Sequence, residues 1–148
     1  MALILFDTNI LVYAHDPTDP VKQSRAIAAL DRVHASGQGR LSTQVLGELF
    51  CIATRGKKPL LASADAARQV DRLLRSWHVL EVTPLVVLEA LRGATAHRMA
   101  YWDAQLWGTA RLNQVPIIFS EDFNTGALTE GVRFVNPLKD RFDLSAWV

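Results

Sequence analysis

Four acidic residues stand in settings where a carboxylate can do chemistry: Asp7, Glu48, Asp103 and Asp122. Asp7 follows directly on the apolar run Leu3 to Phe6, and Asp122 comes shortly after a second apolar run, Val115 to Phe119. Such runs indicate buried strands, and the carboxyl ends of parallel strands lie at one sheet edge, where open α/β folds bind ligands. We therefore expect Asp7 and Asp122 to approach each other if their strands are neighbours.

Each acid also has an ordinary structural explanation. Asp7 can cap the turn after its strand. Glu48 borders the apolar stripe of a predicted helix, and a helical glutamate commonly forms a salt bridge or faces solvent. Asp103 falls in a first helical turn, where it can cap the helix or complement its dipole. Its neighbours, two tryptophans and a tyrosine, make an unpaired carboxylate costly to bury, which favours a ligand role.

The elements that must position these acids alternate between strands and helices along the chain. Strands are predicted at residues 3–6, 40–42, 79–82, 115–119 and 132–135. Helices are predicted at residues 10–15, 20–37, 43–56, 63–77, 84–93 and 99–112, with N-caps at Asp19, Ser63 and Thr83. This alternation predicts an α/β fold with a parallel sheet.

Composition excludes several classes of protein. A chain of 148 residues with 49% hydrophobic content fits one domain with a sizeable core. Its single cysteine excludes an intrachain disulfide and a thiolate zinc cluster. The N-terminus lacks a basic segment and no stretch is long enough to span a membrane, so we expect a soluble protein, and the lone cysteine favours a reducing cytoplasm. A net charge of +1 leaves only local patches to bind a polyanion.

The surroundings of the four acids resemble a known family. The segments LILFDTNILVYA, QVLGELF, YWDAQLWGTA, IIFSEDFNTG and GVRFVNP are similar to those of PIN domains, in particular the VapC-type toxin ribonucleases. The resemblance covers nearly the whole chain. It implies a three-layer α/β/α sandwich with a central, mainly parallel sheet, and one nuclease domain over residues 1–148. It also implies an acidic pocket that binds Mg²⁺ or Mn²⁺ and an RNA substrate, single-stranded or structured.

The resemblance also assigns roles to residues of this chain. The acidic site, catalytic and metal-binding, consists of Asp7, Glu48, Asp103 and Asp122. Thr8, Asn9 and Ser120 match polar positions near the pocket and are supporting residues. Glu121 and Asp122 are adjacent acids that compete for one place in the pocket, and the motif alignment selects Asp122.

The chemistry of the four acids agrees with this family. Converging carboxylates repel one another unless a cation is present, and their hard oxygen atoms select Mg²⁺ or Mn²⁺ over soft metals. One or two such ions supply what phosphodiester hydrolysis needs: an activated water, an in-line geometry and neutralised charge. Asp7, Asp103 and Asp122 would hold the principal ion. Glu48 would complete its shell, bind a second ion or orient the attacking water.

Other classes that place an acid after the first strand fit less well. A haloacid-dehalogenase-like phosphatase needs a second acid two residues after Asp7, where this chain has Asn9. A receiver domain needs a lysine after a late strand, where this chain has Ser120. A PIN-like module that binds RNA or a protein without cleaving remains the alternative, although the presence of all four acids argues against it.

The resemblance implies partners as well. VapC-type proteins are neutralised by a cognate antitoxin that covers the acidic groove, and they commonly form homodimers. The apolar faces of the helices that start near Ser63 and Pro84 are candidates for such a contact. Arg55, Lys57 and Lys58 are the candidates for contacts with the RNA backbone, although a solvated loop explains them equally well.

Overall fold

The chain folds into one six-stranded sheet with six α-helices, and the structure, a computed structural model, describes all 148 residues. The strands are β1 (Ile4–Phe6), β2 (Gly39–Ser42), β3 (His78–Leu80), β4 (Ile117–Phe119), β5 (Leu128–Thr129) and β6 (Val132–Val135). The helices are α1 (Thr8–Tyr13), α2 (Pro20–Ser36), α3 (Thr43–Thr54), α4 (Ser63–Ser76), α5 (Pro84–Ala96) and α6 (Tyr101–Leu112), followed late in the chain by a 3₁₀ turn at Leu144–Ala146. The predicted α/β/α fold with a mainly parallel sheet is confirmed. None of the helices has both the length and the apolar character needed to cross a membrane.

The two strands that precede the acids are neighbours at the centre of the sheet, which meets the condition for Asp7 and Asp122 to approach each other. The strand order is β3-β2-β1-β4-β6-β5, and only the hairpin of β5 and β6 is antiparallel. β1 pairs with β4 in a register that sets Phe6 opposite Phe119. Both strands are buried along their whole length, which explains why their sequences are uninterrupted apolar runs rather than alternating ones.

Aromatic rings fill the core around these strands. The Phe6 ring meets the rings of Trp77 and Phe119 edge-on, with centroid distances of 5.7 and 5.5 Å. Phe142 and Trp147 of the C-terminal segment pack edge-on against Phe119. The segment after β6 therefore covers one side of the sheet centre.

The helix starts follow the predicted caps in two cases and not in a third. The side chains of Asp19 and Thr83 each accept a hydrogen bond from the backbone N–H three residues later, and a proline follows each of them. Ser63 was predicted as a cap, but it is the first residue of α4. Ala62 occupies the N-cap position, with no side-chain hydrogen bond.

Two strands differ from the prediction by two residues at one end, and a third was not predicted. β4 begins at Ile117 rather than at residue 115. β3 covers His78–Leu80 rather than residues 79–82, because the chain turns away from the sheet and the Val82 N–H donates to the Thr43 hydroxyl instead. β5 was not predicted. It has only two residues, and it exists through its pairing with β6 across a turn in which Gly131 has a φ of 83°.

Helices α5 and α6 approach each other closely because glycine lies at their contact. A Cβ atom at Gly93 would stand 2.8 Å from the Trp107 ring, and one at Gly108 would stand 3.3 Å from the backbone nitrogen of Ala90. α5 thus packs against α6 through its small residues. Its leucine row is left exposed: Leu85, Leu88 and Leu91.

Phe6→Ala should lower the free energy of unfolding by about 3–5 kcal/mol, because it deletes a fully buried ring and leaves a cavity at the sheet centre. Phe50→Ala is the matched control, since Phe50 lies on the exposed side of α3 and its truncation should cost only about 0.5 kcal/mol. Urea denaturation followed by circular dichroism measures both values. Equal losses for the two variants would contradict this account of the core.

Candidate functional site

The four predicted acids line one cleft at the carboxyl edge of β1 and β4. The cleft has a volume of about 230 Å³ and is formed by α1, α3, α6 and the segment after β4. On α3 its wall consists of Gln44, Glu48 and Ile52, which are spaced four residues apart and so share one helix face. The other residues that line it are Asp7, Thr8, Asn9, Val12, Tyr13, Trp102, Asp103 and Asp122. No basic side chain is among them.

Asp7 accepts a hydrogen bond at each of its carboxylate oxygens. It is the N-cap of α1, and its Oδ1 accepts from the backbone N–H of Thr8 at 2.7 Å. Its Oδ2 accepts from the Ser120 hydroxyl at 2.6 Å. The capping explanation for Asp7 is therefore correct, and it does not exclude a role in the cleft. Each oxygen keeps lone-pair capacity for a further partner.

Ser120 links the ends of the two acid-bearing strands. Besides donating to Asp7, its Oγ accepts from the backbone N–H of Asp122 at 3.1 Å and from the Asn9 amide at 3.4 Å. The Asn9 Oδ1 accepts in turn from the backbone N–H of Glu121 at 3.3 Å. Ser120 thus begins the turn that carries Asp122 to the cleft, and Asn9 of α1 is hydrogen-bonded to that turn; both were expected as supporting residues.

Glu121 is engaged elsewhere. Its carboxylate pairs with the Lys22 ammonium at 2.6 Å and accepts from the Tyr13 hydroxyl at 2.8 Å. It does not line the cleft, whereas Asp122 does. Of the two adjacent acids, Asp122 is the one that the turn presents to the other carboxylates.

Glu48 and Asp103 reach the cleft from helices. The Glu48 Oε1 accepts from the Thr8 hydroxyl at 3.3 Å, which joins α3 to the start of α1. Asp103 lies half-buried in the first turn of α6, where the helix dipole favours a negative charge. Asp103 therefore both complements the dipole of α6 and lines the cleft.

Burial and mutual repulsion raise the pKa values of two of these acids. The pKa of Asp7 rises to about 6, mainly through loss of hydration, with smaller contributions from the charges of Asp122 and Asp103. The hydrogen bonds from Ser120 and from the backbone oppose this rise. The pKa of Asp103 is raised by burial first, then by Asp122 and Glu48. At neutral pH the ionised cluster therefore costs free energy that a cation would offset.

The donor set of the cleft fits Mg²⁺ or Mn²⁺. Apart from Tyr13, the ionisable side chains that line the cleft are all carboxylates, and no histidine or cysteine lines it. Carboxylate oxygens are the ligands that these hard cations prefer. No three acidic, histidine or cysteine side chains are close enough together to form a complete ligand cluster. A cation here would thus bind few carboxylates directly and keep several waters, as Mg²⁺ commonly does.

The three basic residues expected to contact RNA are not brought into the cleft. Arg55 is the C-cap of α3, and Lys57 and Lys58 lie in the exposed loop that follows. None of them lines the cleft, although Ile52, just before Arg55 on α3, does. Their position beyond the end of α3 leaves them available only to a substrate that extends past the acids.

One group of polar residues was missed in the sequence. The Gln44 amide donates to the Trp102 carbonyl at 3.0 Å and accepts from Gln105 at 3.1 Å, and Gln105 accepts from the Tyr101 hydroxyl at 2.9 Å. This chain of bonds fixes the start of α6 against α3. Gln105 is buried, and a glutamine inside an apolar helical stretch was the signal, because a buried amide needs partners.

Comparisons with known proteins agree with this architecture. Residues 4–127 match the family model described as PIN domain. A search of curated protein sequences gives no significant match. Solved structures that resemble this chain include VapBC2 from Rickettsia felis bound to a DNA fragment from its promoter, at 14% identity and a TM-score of 0.66 over 90% of this chain and 98% of that one.

Two further solved structures are similar. A toxin-antitoxin complex from Klebsiella pneumoniae has 18% identity and a TM-score of 0.67 over 90% of this chain and 97% of that one. The toxin VapC20 from Mycobacterium tuberculosis, described as cleaving the sarcin-ricin loop, has 21% identity and a TM-score of 0.63 over 88% of this chain and 98% of that one. At these identities the likeness shows the fold.

Asp7→Asn should stabilise the metal-free protein progressively as pH rises. The Asp7 carboxyl has a pKa of about 6 in the folded chain against an ordinary value of 3.8, so between these values the folded state holds a proton that the unfolded state has lost. Stability from this group is therefore present at low pH and lost as pH rises through 6. The variant's advantage in unfolding free energy should grow by roughly 1–3 kcal/mol between about pH 4 and pH 7.

Urea denaturation in EDTA at several pH values measures this difference. EDTA removes divalent cations, which would otherwise stabilise the ionised form. A difference between variant and wild type that stays constant over this pH range would contradict the raised pKa of Asp7.

Proposed function

We propose, from the premise that this chain belongs to the PIN domain family, that it is a metal-dependent endoribonuclease. The observation that carries the proposal is the convergence of four carboxylates, from two strand ends and two helices, on one cleft. The relative described as cleaving the sarcin-ricin loop supports RNA as the substrate. We take residues 1–148 as one nuclease domain that acts in the cytoplasm.

Asp7, Asp103 and Asp122 are the residues that would hold Mg²⁺ or Mn²⁺, directly or through the waters that the ion keeps. When bound, the ion would lower the pKa of a water and neutralise charge on the phosphate oxygens. Glu48, held by the Thr8 hydroxyl, would complete the ion's shell, bind a second ion or orient the water. Hydrolysis joins the water oxygen to phosphorus, breaks the bond to the departing ribose oxygen, and leaves that oxygen with a proton. No side chain is needed as a nucleophile.

The hydrogen bonds of the cleft prepare its acids for this role. The Ser120 hydroxyl lowers the pKa of Asp7 and so favours its ionised form, against the effect of burial. The same oxygen accepts from the Asp122 backbone, so one hydroxyl fixes the relative position of both strand-end acids. Ser120, Asn9 and Thr8 thus position the acids rather than contact the reacting atoms.

Asp7→Asn and Asp122→Asn should each reduce RNA cleavage in Mg²⁺ or Mn²⁺ by at least about a hundredfold, because each removes a negative ligand of the ion. Glu121→Gln is the matched control, since it neutralises the neighbouring acid that pairs with Lys22 outside the cleft, and it should keep most of the activity. The measurement is the initial rate of cleavage of an end-labelled RNA by the purified protein.

Four results would count against the proposal. Undiminished cleavage in EDTA would exclude metal dependence, and full activity in both asparagine variants would exclude the acidic site. RNA binding with no cleavage under any metal would instead favour the non-cleaving PIN-like module. Loss of activity in Glu121→Gln, with Asp122→Asn still active, would show that Glu121 rather than Asp122 belongs to the site.

We also propose that the protein is the toxin of a toxin-antitoxin pair and forms a homodimer. Complexes of a toxin with its antitoxin are among the structures with the same fold, which supports a protein partner. The exposed leucine row of α5 is an apolar surface of the kind that protein contacts cover: Leu85, Leu88 and Leu91. On α4, Leu74 is exposed as well.

Expression of the chain alone should arrest bacterial growth, and Asp122→Asn should abolish the arrest because cleavage is lost. Coexpression of a cognate antitoxin, sought in the neighbouring gene, should restore growth of the wild type. Growth curves measure both effects, and sedimentation velocity at micromolar concentration tests the homodimer. Normal growth with the wild type expressed alone, or a monomer only, would contradict the corresponding part of the proposal.

A further inference from the structure

Trp102 is a large aromatic side chain at the edge of the acidic cleft. It lines the cleft directly beside Asp103, yet 64% of its surface is exposed. An indole left this open makes little contribution to the core, in contrast to Trp107, which is fully buried and whose N–H donates to the Thr129 carbonyl. The exposure of Trp102 therefore needs an explanation other than packing.

The protein holds Trp102 in place from two sides. The rings of Tyr101 and Trp102 pack edge to face, with 5.0 Å between their centroids and 83° between their planes. The backbone carbonyl of Trp102 accepts from Gln44, and Gln44, Gln105 and Tyr101 are joined by hydrogen bonds. These contacts form a closed circuit that begins and ends at Trp102. The backbone of this turn is therefore fixed and the indole has Tyr101 packed against it, which reduces the conformational entropy lost when a ligand stacks on the ring.

The charge of the cleft shows what kind of contact a nucleic acid needs there. No lysine, arginine or histidine lines the cleft, and its four carboxylates repel a phosphate backbone. Apart from a bound cation, attraction to RNA inside the cleft must therefore come from uncharged contacts. Tyr13 is the other aromatic residue of the cleft, but its hydroxyl donates to Glu121 and the Lys22 ammonium lies 4.9 Å from its ring centroid. Trp102 is the ring that remains open.

We infer that Trp102 is a stacking platform for an unpaired nucleobase next to the phosphate held at the acids. This inference rests on the proposed function and adds to it a residue that contacts the substrate. Stacking on an aromatic ring requires a base whose face is uncovered, and in a duplex both faces are covered by neighbouring bases. The platform thus selects unpaired nucleotides without reading their sequence, because every base has a π-face.

The test is the affinity of short RNA oligomers for Trp102 variants in an Asp122→Asn background, which prevents turnover. Trp102→Ala should weaken binding of a fluorescein-labelled single-stranded 10-mer by about tenfold, and Trp102→Phe should retain most of the affinity. Phe50→Ala is the matched control, because it removes an exposed aromatic ring that does not line the cleft. Fluorescence anisotropy in Mn²⁺ measures all four proteins.

An oligomer of the same length with abasic sites separates stacking from a merely structural effect. Its affinity should be the same for Trp102→Ala and for the parent, because no base is present to stack. Equal weakening of the intact and the abasic oligomer would overturn the inference, since the substitution would then act through the backbone contacts or the fold. Thermal unfolding of each variant checks that the exposed substitution leaves the fold intact.

The remaining outcomes distinguish this inference from the ribonuclease proposal. Base-dependent binding at Trp102 in a protein that never cleaves RNA would keep the platform and reject the nuclease. Metal-dependent cleavage with unchanged oligomer affinity in Trp102→Ala would keep the nuclease and reject the platform. If Trp102→Ala instead changes only the sedimentation coefficient, the ring is a protein contact and the inference is wrong.

Discussion

The parallel pairing of β1 with β4 is the constraint on which the candidate site depends. Because Phe6 lies opposite Phe119, both strands end at the same level and the Asp7 N–H donates to the Phe119 carbonyl at 2.9 Å. Ser120 follows β4 directly, and its hydroxyl oxygen lies 2.6 Å from the Asp7 Oδ2. A shift of one residue would turn these side chains to the opposite face of the sheet. The hydrophobic core fixes the register, and the register fixes the acids.

Collecting four carboxylates has a cost that the fold partly offsets. Asp7 is only 9% exposed, so its ionised form lacks hydration, and neighbouring acids add repulsion. The hydroxyl of Ser120 and the backbone N–H at the start of α1 act in the other direction. These donors are too few to restore the ordinary pKa of Asp7, which stays near 6. The cleft is thus poised for a cation, which supplies the compensation that hydrogen bonds do not.

The sequence was most informative where local pattern and burial coincide. The apolar runs before Asp7 and after Asn113 predicted two buried strands, and the caps at Asp19 and Thr83 predicted two helix starts. The family resemblance was needed to predict that Glu48 and Asp103 belong to the same site, because the spacing of residues within a helix does not reveal how two helices pack against each other. β5 is only two residues long, too short for a strand pattern to show, and it is defined by its pairing with β6. The bond between Gln44 and Gln105 joins residues 61 positions apart, which no local window contains.

The first turn of α6 carries both Trp102, the proposed stacking residue, and Asp103, one of the four acids of the cleft. Trp102 and Asp103 are consecutive, and consecutive side chains on a helix diverge by about 100°. Both still line the cleft, because both lie in the first turn of α6, which forms part of its wall. The buried amide of Gln105 ties this turn to Gln44, which shares a face of α3 with Glu48. One set of hydrogen bonds therefore sets the spacing between the aromatic edge of the cleft and two of its acids. A substrate base at Trp102 would hold the adjoining phosphate at a distance from the carboxylates that the fold has already determined.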